Sequence, residues 1–287
     1  MFVYLCLTFI FLYYISDVYY ITYLLDKVAS TLSYILLTLS TKYYNIAKKN
    51  ISLVFPDFGE QKVEQILYQS LKVSIINYLS GLFGRCLYRT NYYKNININI
   101  LDNFIHDVDN NGILLVGPHY GIMYNISNYL GYFTKKNTRV VYKKQKYINH
   151  LLYPSNTYSN TRFIPFDSDT LYKLMKIKGG ITSLACDQKA YNNKPKIKFL
   201  NHLVKFHYGP ALLHLKTGRK IWYIDITYDL KTMKQQAYFV DISSQLIKNS
   251  TDTDITQKIA DTMSERIMLH PEQYLWFYNR FSKNQYN

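Results

Sequence analysis

Cysteine, metal-binding spacings and glycine-rich loops are scarce or missing in this chain. Its three cysteines, Cys6, Cys86 and Cys186, stand far apart and form no CxxC spacing. This argues against a disulfide framework or a zinc site and fits a reducing compartment. The histidines show neither HxxxH nor HExxH spacing, so no metal site is predicted. The chain also lacks a glycine-rich phosphate loop and a Gly-x-Ser-x-Gly motif, which argues against a serine hydrolase.

Acidic residues are outnumbered by basic ones, 19 against 34, and the formal net charge is +15. Such an excess indicates a polyanionic partner: nucleic acid, an acidic membrane or an acidic carrier protein. Part of the lysine excess belongs to a general enrichment in residues with AT-rich codons. The 31 tyrosines could stack on bases, but no RNA-binding fingerprint accompanies them. We therefore predict no nucleic-acid partner.

The N-terminal segment is apolar and aromatic. Residues 2–16 carry no charge, and Asp17 is the only charged residue up to Leu25. A basic start and a small-residue cleavage site are both missing, so the segment does not resemble a signal peptide. We predict an uncleaved membrane anchor over residues 1–26, spanning or interfacial, followed by one domain over residues 27–287. The lysines after the anchor place that domain on the cytoplasmic side. The alternative is a buried N-terminal helix.

Strand and helix patterns alternate along the second half of the chain. Apolar periodicity from Val63 to Tyr78 predicts a helix that ends near Gly81. From residue 110 onward the predicted strands are 113–117, 138–143, 162–166, 181–186, 196–200, 220–228 and 236–241. The predicted helices there are 121–131, 169–178, 209–217, 255–269 and 272–279. This alternation predicts an α/β fold, a mixed sheet flanked by helices, with the N-terminal apolar anchor helix added.

The most informative segment runs from Ile113 to Tyr124. Its first four residues are apolar and predict a buried strand, which a Gly-Pro pair ends just before His119. The carboxyl end of a buried strand is where an open α/β sheet places its ligands. Histidine is also the side chain best suited to accept a proton near neutral pH. His119 is therefore the predicted general base.

Four sequence blocks lie in a fixed order around this histidine. They are Asn50–Pro56 (NISLVFP), Gly117–Tyr124 (GPHYGIMY), Lys178–Gly179 with Asp187–Gln188, and Pro271–Trp276 (PEQYLW) with Arg280–Phe281. In content and order these blocks resemble the lipid A biosynthesis (lauroyl/myristoyl) acyltransferases, within the wider lysophospholipid acyltransferase superfamily. The resemblance covers roughly residues 30–283.

The resemblance implies an acyltransferase of the EC 2.3.1 type. A fatty acyl chain would move from a thioester on acyl carrier protein or coenzyme A to a hydroxyl of a lipid A-type glycolipid precursor. No cofactor is implied beyond this acyl donor. The expected location is the inner membrane, with the catalytic domain on the cytoplasmic side.

The resemblance also assigns roles to individual residues. His119 takes the hydroxyl proton, and Gly121 lets the backbone approach the substrate closely. Lys143 and Arg280 are cationic contacts to phosphate or to the carrier, although Arg280 could instead stack on Trp276. Two further residues shape the pocket, or else form a polar turn: Asp187 and Gln188.

One departure from the family pattern concerns the partner of the histidine. The family has an acidic residue five positions after the histidine, and here that position is Tyr124. A phenol can orient an imidazole but is neutral at pH 7. Loss of an orienting carboxylate costs on the order of 10⁴ in rate in a hydrolase triad. Two family arginines are also replaced, by Lys143 and Phe166. A second interpretation is therefore a non-catalytic or degenerate lipid-binding relative.

Alternating lysines form one more cationic feature. On a strand, Lys194, Lys196 and Lys198 would share one face and suit phosphates or an acidic carrier. A solvated edge that discourages strand pairing explains them equally well.

Overall fold

A seven-stranded sheet organises the protein. A computed structural model describes residues 18–82, 96–98, 100–124, 126–143, 160–190 and 194–281. The strands are β1 (Ile96–Asn97), β2 (Ile113–Gly117), β3 (Thr138–Tyr142), β4 (Thr161–Pro165), β5 (Ile181–Ala185), β6 (Ile197–Phe199), β7 (His202–Val204), β8 (Lys220–Tyr228) and β9 (Gln235–Asp241). The main sheet has the order β1-β9-β8-β2-β5-β3-β4, and β6 pairs with β7 in a separate hairpin.

The sheet is parallel from β8 through β2, β5 and β3 to β4, and β9 runs antiparallel to β8. Strand β2 reads Ile-Leu-Leu-Val, and all four side chains are buried. A strand that is apolar on both faces fits the centre of a parallel sheet, where helices cover both sides. The predicted mixed sheet flanked by helices is confirmed.

Helices pack on both faces of this sheet. They are α1 (Val18–Leu39), α2 (Thr41–Val54), α3 (Glu60–Leu82), α4 (Asp102–Asn110), α5 (Ile126–Thr134), α6 (Thr170–Met175), α7 (Gly209–Thr217) and α8 (Asp252–Leu269). Alternate residues of β2 belong to two separate cores. Leu114 and Val116 join the core that contains α2, α7 and α8, whereas Ile113 and Leu115 join the one with α1, α4 and α5.

The N-terminal helix α1 lies against α3. Its buried side chains Ile21, Leu25 and Ala29 recur every four residues, and Asp26 forms a 2.7 Å ion pair with Lys72 of α3. Residues 1–17 of the predicted anchor lie outside the described residues, and α1 continues through the predicted boundary at residue 26. None of the helices in the described part is long and apolar enough to cross a membrane.

Two predicted helices differ from the structure, because long-range hydrogen bonds hold the backbone there. The helix predicted over 121–131 begins only at Ile126, because the amides of Gly121 and Ile122 bond to the carbonyls of Gln273 and Ile226. The helix predicted over 272–279 is wrong. A single 3₁₀ turn over Pro271–Gln273 is followed by irregular backbone, whose hydrogen bonds go to other parts of the fold.

Candidate active site

The parallel pairing of β2 and β5 brings His119 and Asp187 together. Gly117 and Ala185 are register partners at the ends of these strands. His119 and Asp187 each follow two residues later, so both side chains emerge at the carboxyl edge of the sheet. The imidazole Nδ1 lies 2.7 Å from a carboxylate oxygen of Asp187.

The hydrogen bonds assign a tautomer to the imidazole. Ionised Asp187 only accepts, so Nδ1 carries the proton and donates it. The other ring nitrogen, Nε2, accepts a 3.2 Å bond from the side-chain amide of Gln188. The His119 side chain retains 19% exposure, against 3% for Asp187. The ring therefore keeps one basic nitrogen, and a substrate hydroxyl would replace Gln188 as its partner.

Electrostatics favour the charged form of both partners. Burial by itself disfavours the imidazolium, but the carboxylate of Asp187 outweighs it and raises the pKa of His119. Burial likewise opposes ionisation of Asp187, yet the charge and hydrogen bonds of His119 lower its pKa. A buried carboxylate that stays ionised beside a histidine is the arrangement that stabilises an imidazolium formed during catalysis.

The backbone around His119 is held by the C-terminal segment. The carbonyl of His119 accepts a 3.0 Å bond from the amide of Leu275, and the amide of Gly121 donates to Gln273. Gly121 has φ +55°, and a Cβ there would lie 1.8 Å from the carbonyl oxygen of Ile226. Contact with β8 by itself therefore requires glycine here, and the substrate approach that the resemblance implies stays a prediction.

Asn50 connects the first sequence block to this C-terminal segment. Its side-chain amide donates to the carbonyls of Trp276 and Tyr278, at 2.7 and 2.8 Å. Asn50 is buried on α2, 226 residues from Trp276 in sequence. It anchors the backbone between Leu275, which bonds His119, and Arg280.

Arg280 is a buried cation close to the His119–Asp187 pair. Its guanidinium lies 5.0 Å from the ring centroid of Phe199 and 5.3 Å from that of Phe206. One nitrogen donates to the carbonyl of Lys205, whereas Nε and Nη2 are buried without a partner in the described part of the chain. Burial lowers the pKa of Arg280, and Asp187 is among the groups that oppose this. A buried guanidinium with two unused donors is suited to an anionic group of a substrate.

Two further groups lie at the same edge. Lys143 follows the end of β3, beside β5, and is exposed. His207 precedes α7, and sequence patterns did not single it out because its spacing matches no motif. Burial lowers the pKa of His207, the positive charges of Arg280 and Lys143 lower it further, and Asp187 opposes them. These effects together favour the neutral form of His207.

Tyr124 lies against α3. Its ring centroid is 5.0 Å from that of Tyr78, and a Cβ on Gly81 would lie 3.0 Å from the Cβ of Tyr124. The hydrogen bonds of the His119 ring go to Asp187 and Gln188. The position of the orienting group, predicted for Tyr124, is occupied by Asp187.

Cys186 directly precedes Asp187 and is the nearest candidate nucleophile in the sequence. Its thiol is buried and unpaired, and burial together with the charge of Asp187 raises its pKa. The thiol form is a poor nucleophile, so a covalent acyl-cysteine is disfavoured. Within the described ranges, no three His, Cys, Asp or Glu side chains cluster to hold a metal ion.

Comparison with known protein families shows which family the chain belongs to. The sequence model of the bacterial lipid A biosynthesis acyltransferases matches residues 7–283. The chain belongs to this family. The resemblance predicted from the four sequence blocks is thereby confirmed. No curated protein matches the chain.

Family membership gives the His119 site its chemical context. Lipid A biosynthesis acyltransferases as a class transfer acyl groups, a reaction that needs a base for the attacking group. In this protein the four sequence blocks come together in the folded structure. Asn50, His119 and Asp187 come from three of them, and the C-terminal block supplies the backbone that holds the first two.

Proposed function

We propose that this protein transfers a fatty acyl chain from a thioester to a hydroxyl of a lipid A-type glycolipid precursor, with His119 as general base. The donor is acyl carrier protein or coenzyme A carrying the acyl chain. The observation that carries the proposal is the 2.7 Å bond between His119 and Asp187, which leaves Nε2 as the proton acceptor. This bond restores the carboxylate partner that the sequence lacks at position 124.

The reaction follows from this geometry in two steps. Nε2 of His119 removes the proton of the acceptor hydroxyl as its oxygen attacks the thioester carbon, and Asp187 stabilises the imidazolium that results. The tetrahedral intermediate then expels the thiolate with cleavage of the carbon–sulfur bond. The imidazolium returns its proton to the thiolate, which leaves an ester and a free thiol. The proposed route uses no covalent acyl-enzyme and no cofactor besides the donor.

The cations at this edge suit the charges that the reaction involves. We assign the two unused donors of Arg280 to a phosphate of the donor or to the oxyanion of the intermediate. Both nitrogens are buried, so the site must open for a substrate to reach them. Lys143 provides a second, exposed positive charge for a phosphate or for an acidic carrier. We assign Gln188 a positioning role, because its amide holds Nε2 until the acceptor arrives.

The proposed location is the cytoplasmic face of an inner membrane. Helix α1 supports it with exposed apolar side chains: Tyr34 is 69% exposed and Leu39 is 77% exposed. Exposed apolar side chains of this kind, next to the lysines that follow them, fit contact with an anionic lipid surface. The proposal accommodates an interfacial helix as well as an anchor formed with the preceding residues.

The test is acyl transfer by the purified full chain and by the His119→Ala variant. Fatty acyl carrier protein and fatty acyl coenzyme A serve as donors, and a lipid A precursor with a free hydroxyl as acceptor. We expect the wild type to transfer and the variant to lose roughly 10²–10⁴-fold in rate, the usual contribution of a general base.

His106→Ala is the matched control, because that side chain is 72% exposed and belongs to α4. It should retain wild-type activity. Lipid binding without transfer by the wild type, with either donor, would favour the non-catalytic relative over the enzyme.

A further inference from the structure

A small cavity lies at the opposite edge of the sheet from His119. It has a volume of about 80 Å³ and is lined by Asn137, Thr138, Arg139, Asn160 and Arg162. Arg139 and Arg162 are near the amino ends of β3 and β4, whereas the His119 site is at the carboxyl ends. Five-residue strands separate the two edges by about 15 Å. The cavity is therefore distinct from the candidate active site.

The two arginines are neighbours by strand register. Arg139 of β3 pairs with Arg162 of β4, and register partners on parallel strands project from the same face. Like charges placed opposite each other across a strand pair are destabilising. Burial and the charge of Arg162 both lower the pKa of Arg139.

No carboxylate compensates these charges in the part of the chain that the structure describes. The ion pairs recorded there include neither arginine, and the nearby Lys136 is paired with Asp109. Arg219 adds a third cation whose pKa is lowered to about 10, by burial and then by Arg139. Its hydrogen bonds go to two threonine hydroxyls and one carbonyl, all neutral groups.

The backbone of Gly179 and Gly180, next to the cavity, lies close to the guanidinium of Arg139. Nη1 donates a 3.0 Å bond to the carbonyl of Gly179, which fixes the orientation of the group. Gly180 has φ +71°, and a Cβ there would lie 3.2 Å from Nη1 and 2.4 Å from the carbonyl oxygen of Asn137. A side chain at residue 180 would clash with the carbonyl of Asn137 and also press on the guanidinium, so Gly180 keeps this position open.

We propose that Arg139 and Arg162 bind a tetrahedral oxyanion of the phosphate class in this cavity. Guanidinium groups hold phosphate oxygens with paired N–H donors. Asn137 and Asn160 also line the cavity, and the side-chain amide of Asn160 donates to the carbonyl of Lys135. A volume of about 80 Å³ accepts one such group, but is well below the roughly 300–1,000 Å³ of pockets for larger ligands. The anion is free orthophosphate or the phosphate of a monoester.

The experiment is calorimetric titration of the full chain with orthophosphate, in chloride buffers of matched ionic strength. The variants are Arg162→Gln, Arg139→Gln and Arg162→Lys, and Lys248→Gln is an equal change of charge at an exposed residue elsewhere. We expect saturable binding by the wild type and a Kd at least tenfold higher in both glutamine variants. Arg162→Lys should be intermediate, because a point charge lacks the paired donors. Lys248→Gln should stay within twofold of the wild type.

Thermal unfolding gives an independent readout. Without phosphate, Arg162→Gln should unfold at a higher temperature than the wild type, since one repelling charge is gone. Saturating phosphate should reduce or reverse that difference. A titration with glycerol phosphate distinguishes the sources, because equal or tighter binding of the ester assigns a phosphomonoester and weaker binding assigns orthophosphate.

Three results would overturn the proposal. The first is a heat of binding for phosphate no larger than that for chloride. The second is unchanged phosphate binding in both glutamine variants. The third is loss of phosphate binding in Lys143→Gln instead, which would place the anion at the His119 edge. None of these measurements uses acyl transfer, so the proposed function and the anion site stand or fall separately.

Discussion

Replacing Asp187 by Asn tests the catalytic geometry most directly. The substitution keeps the size of the side chain but removes the charge 2.7 Å from Nδ1 of His119. At that distance, with an effective dielectric constant of about 20, a carboxylate and an imidazolium attract by about 6 kcal/mol. The imidazolium is only partly formed in the transition state, so part of this energy is lost. We expect the maximal rate to fall roughly 10³–10⁴-fold, or about 4–5.5 kcal/mol.

The same variant should also move the pH profile. Transfer needs neutral His119, so the rate rises with pH through the pKa of this imidazole. In the wild type Asp187 raises that pKa above its ordinary value of about 6.5. In Asp187→Asn only burial remains, and burial lowers the pKa. The acidic limb should therefore shift to lower pH while the plateau falls.

Initial rates of acyl transfer from pH 5 to 9 measure both effects. Tyr124→Phe is the companion variant, because it removes only a hydroxyl from a ring packed on Tyr78. It should keep most of the wild-type activity. Retention of more than a tenth of the rate by Asp187→Asn, with an unmoved acidic limb, would refute the role of Asp187. A Tyr124→Phe variant with the larger loss would return the orienting role to position 124.

Two further predictions concern the support of the site. Gly121→Ala should lower the free energy of unfolding by at least about 2–3 kcal/mol, because its φ is +55° and the Cβ would meet the carbonyl of Ile226. Denaturant unfolding measures this, and Gly59→Ala, where no atom lies within 4 Å of the new Cβ, should cost under about 1 kcal/mol. Asn50→Ala leaves two carbonyls without their donor and should cost about 2–3 kcal/mol, with a lower rate of transfer as well. Asn50→Asp should destabilise similarly, and a stable, fully active Asn50→Ala would contradict the anchoring role.

Local patterns predicted much of the fold, because a buried face requires apolar residues at the spacing of a helix or a strand. Strands 113–117 and 220–228 and helix 209–217 match the structure at both ends. The errors lie where long-range contacts determine the backbone. The predicted helix 272–279 has suitable residues, but its backbone bonds to His119 and Asn50 instead. The anchor prediction falls largely on residues outside the described part.

The sequence alone named His119, Asp187 and Gln188 as candidate site residues, although it gave the orienting role to Tyr124. It placed His119 after a buried strand and Asp187 with Gln188 after another, and its ordered blocks indicated the family. That His119 and Asp187 meet is a property of the folded sheet. They are 68 positions apart, and their contact depends on β2 and β5 being adjacent, parallel and in register. Strand order depends on how helices pack over the whole sheet, and neither strand encodes it locally.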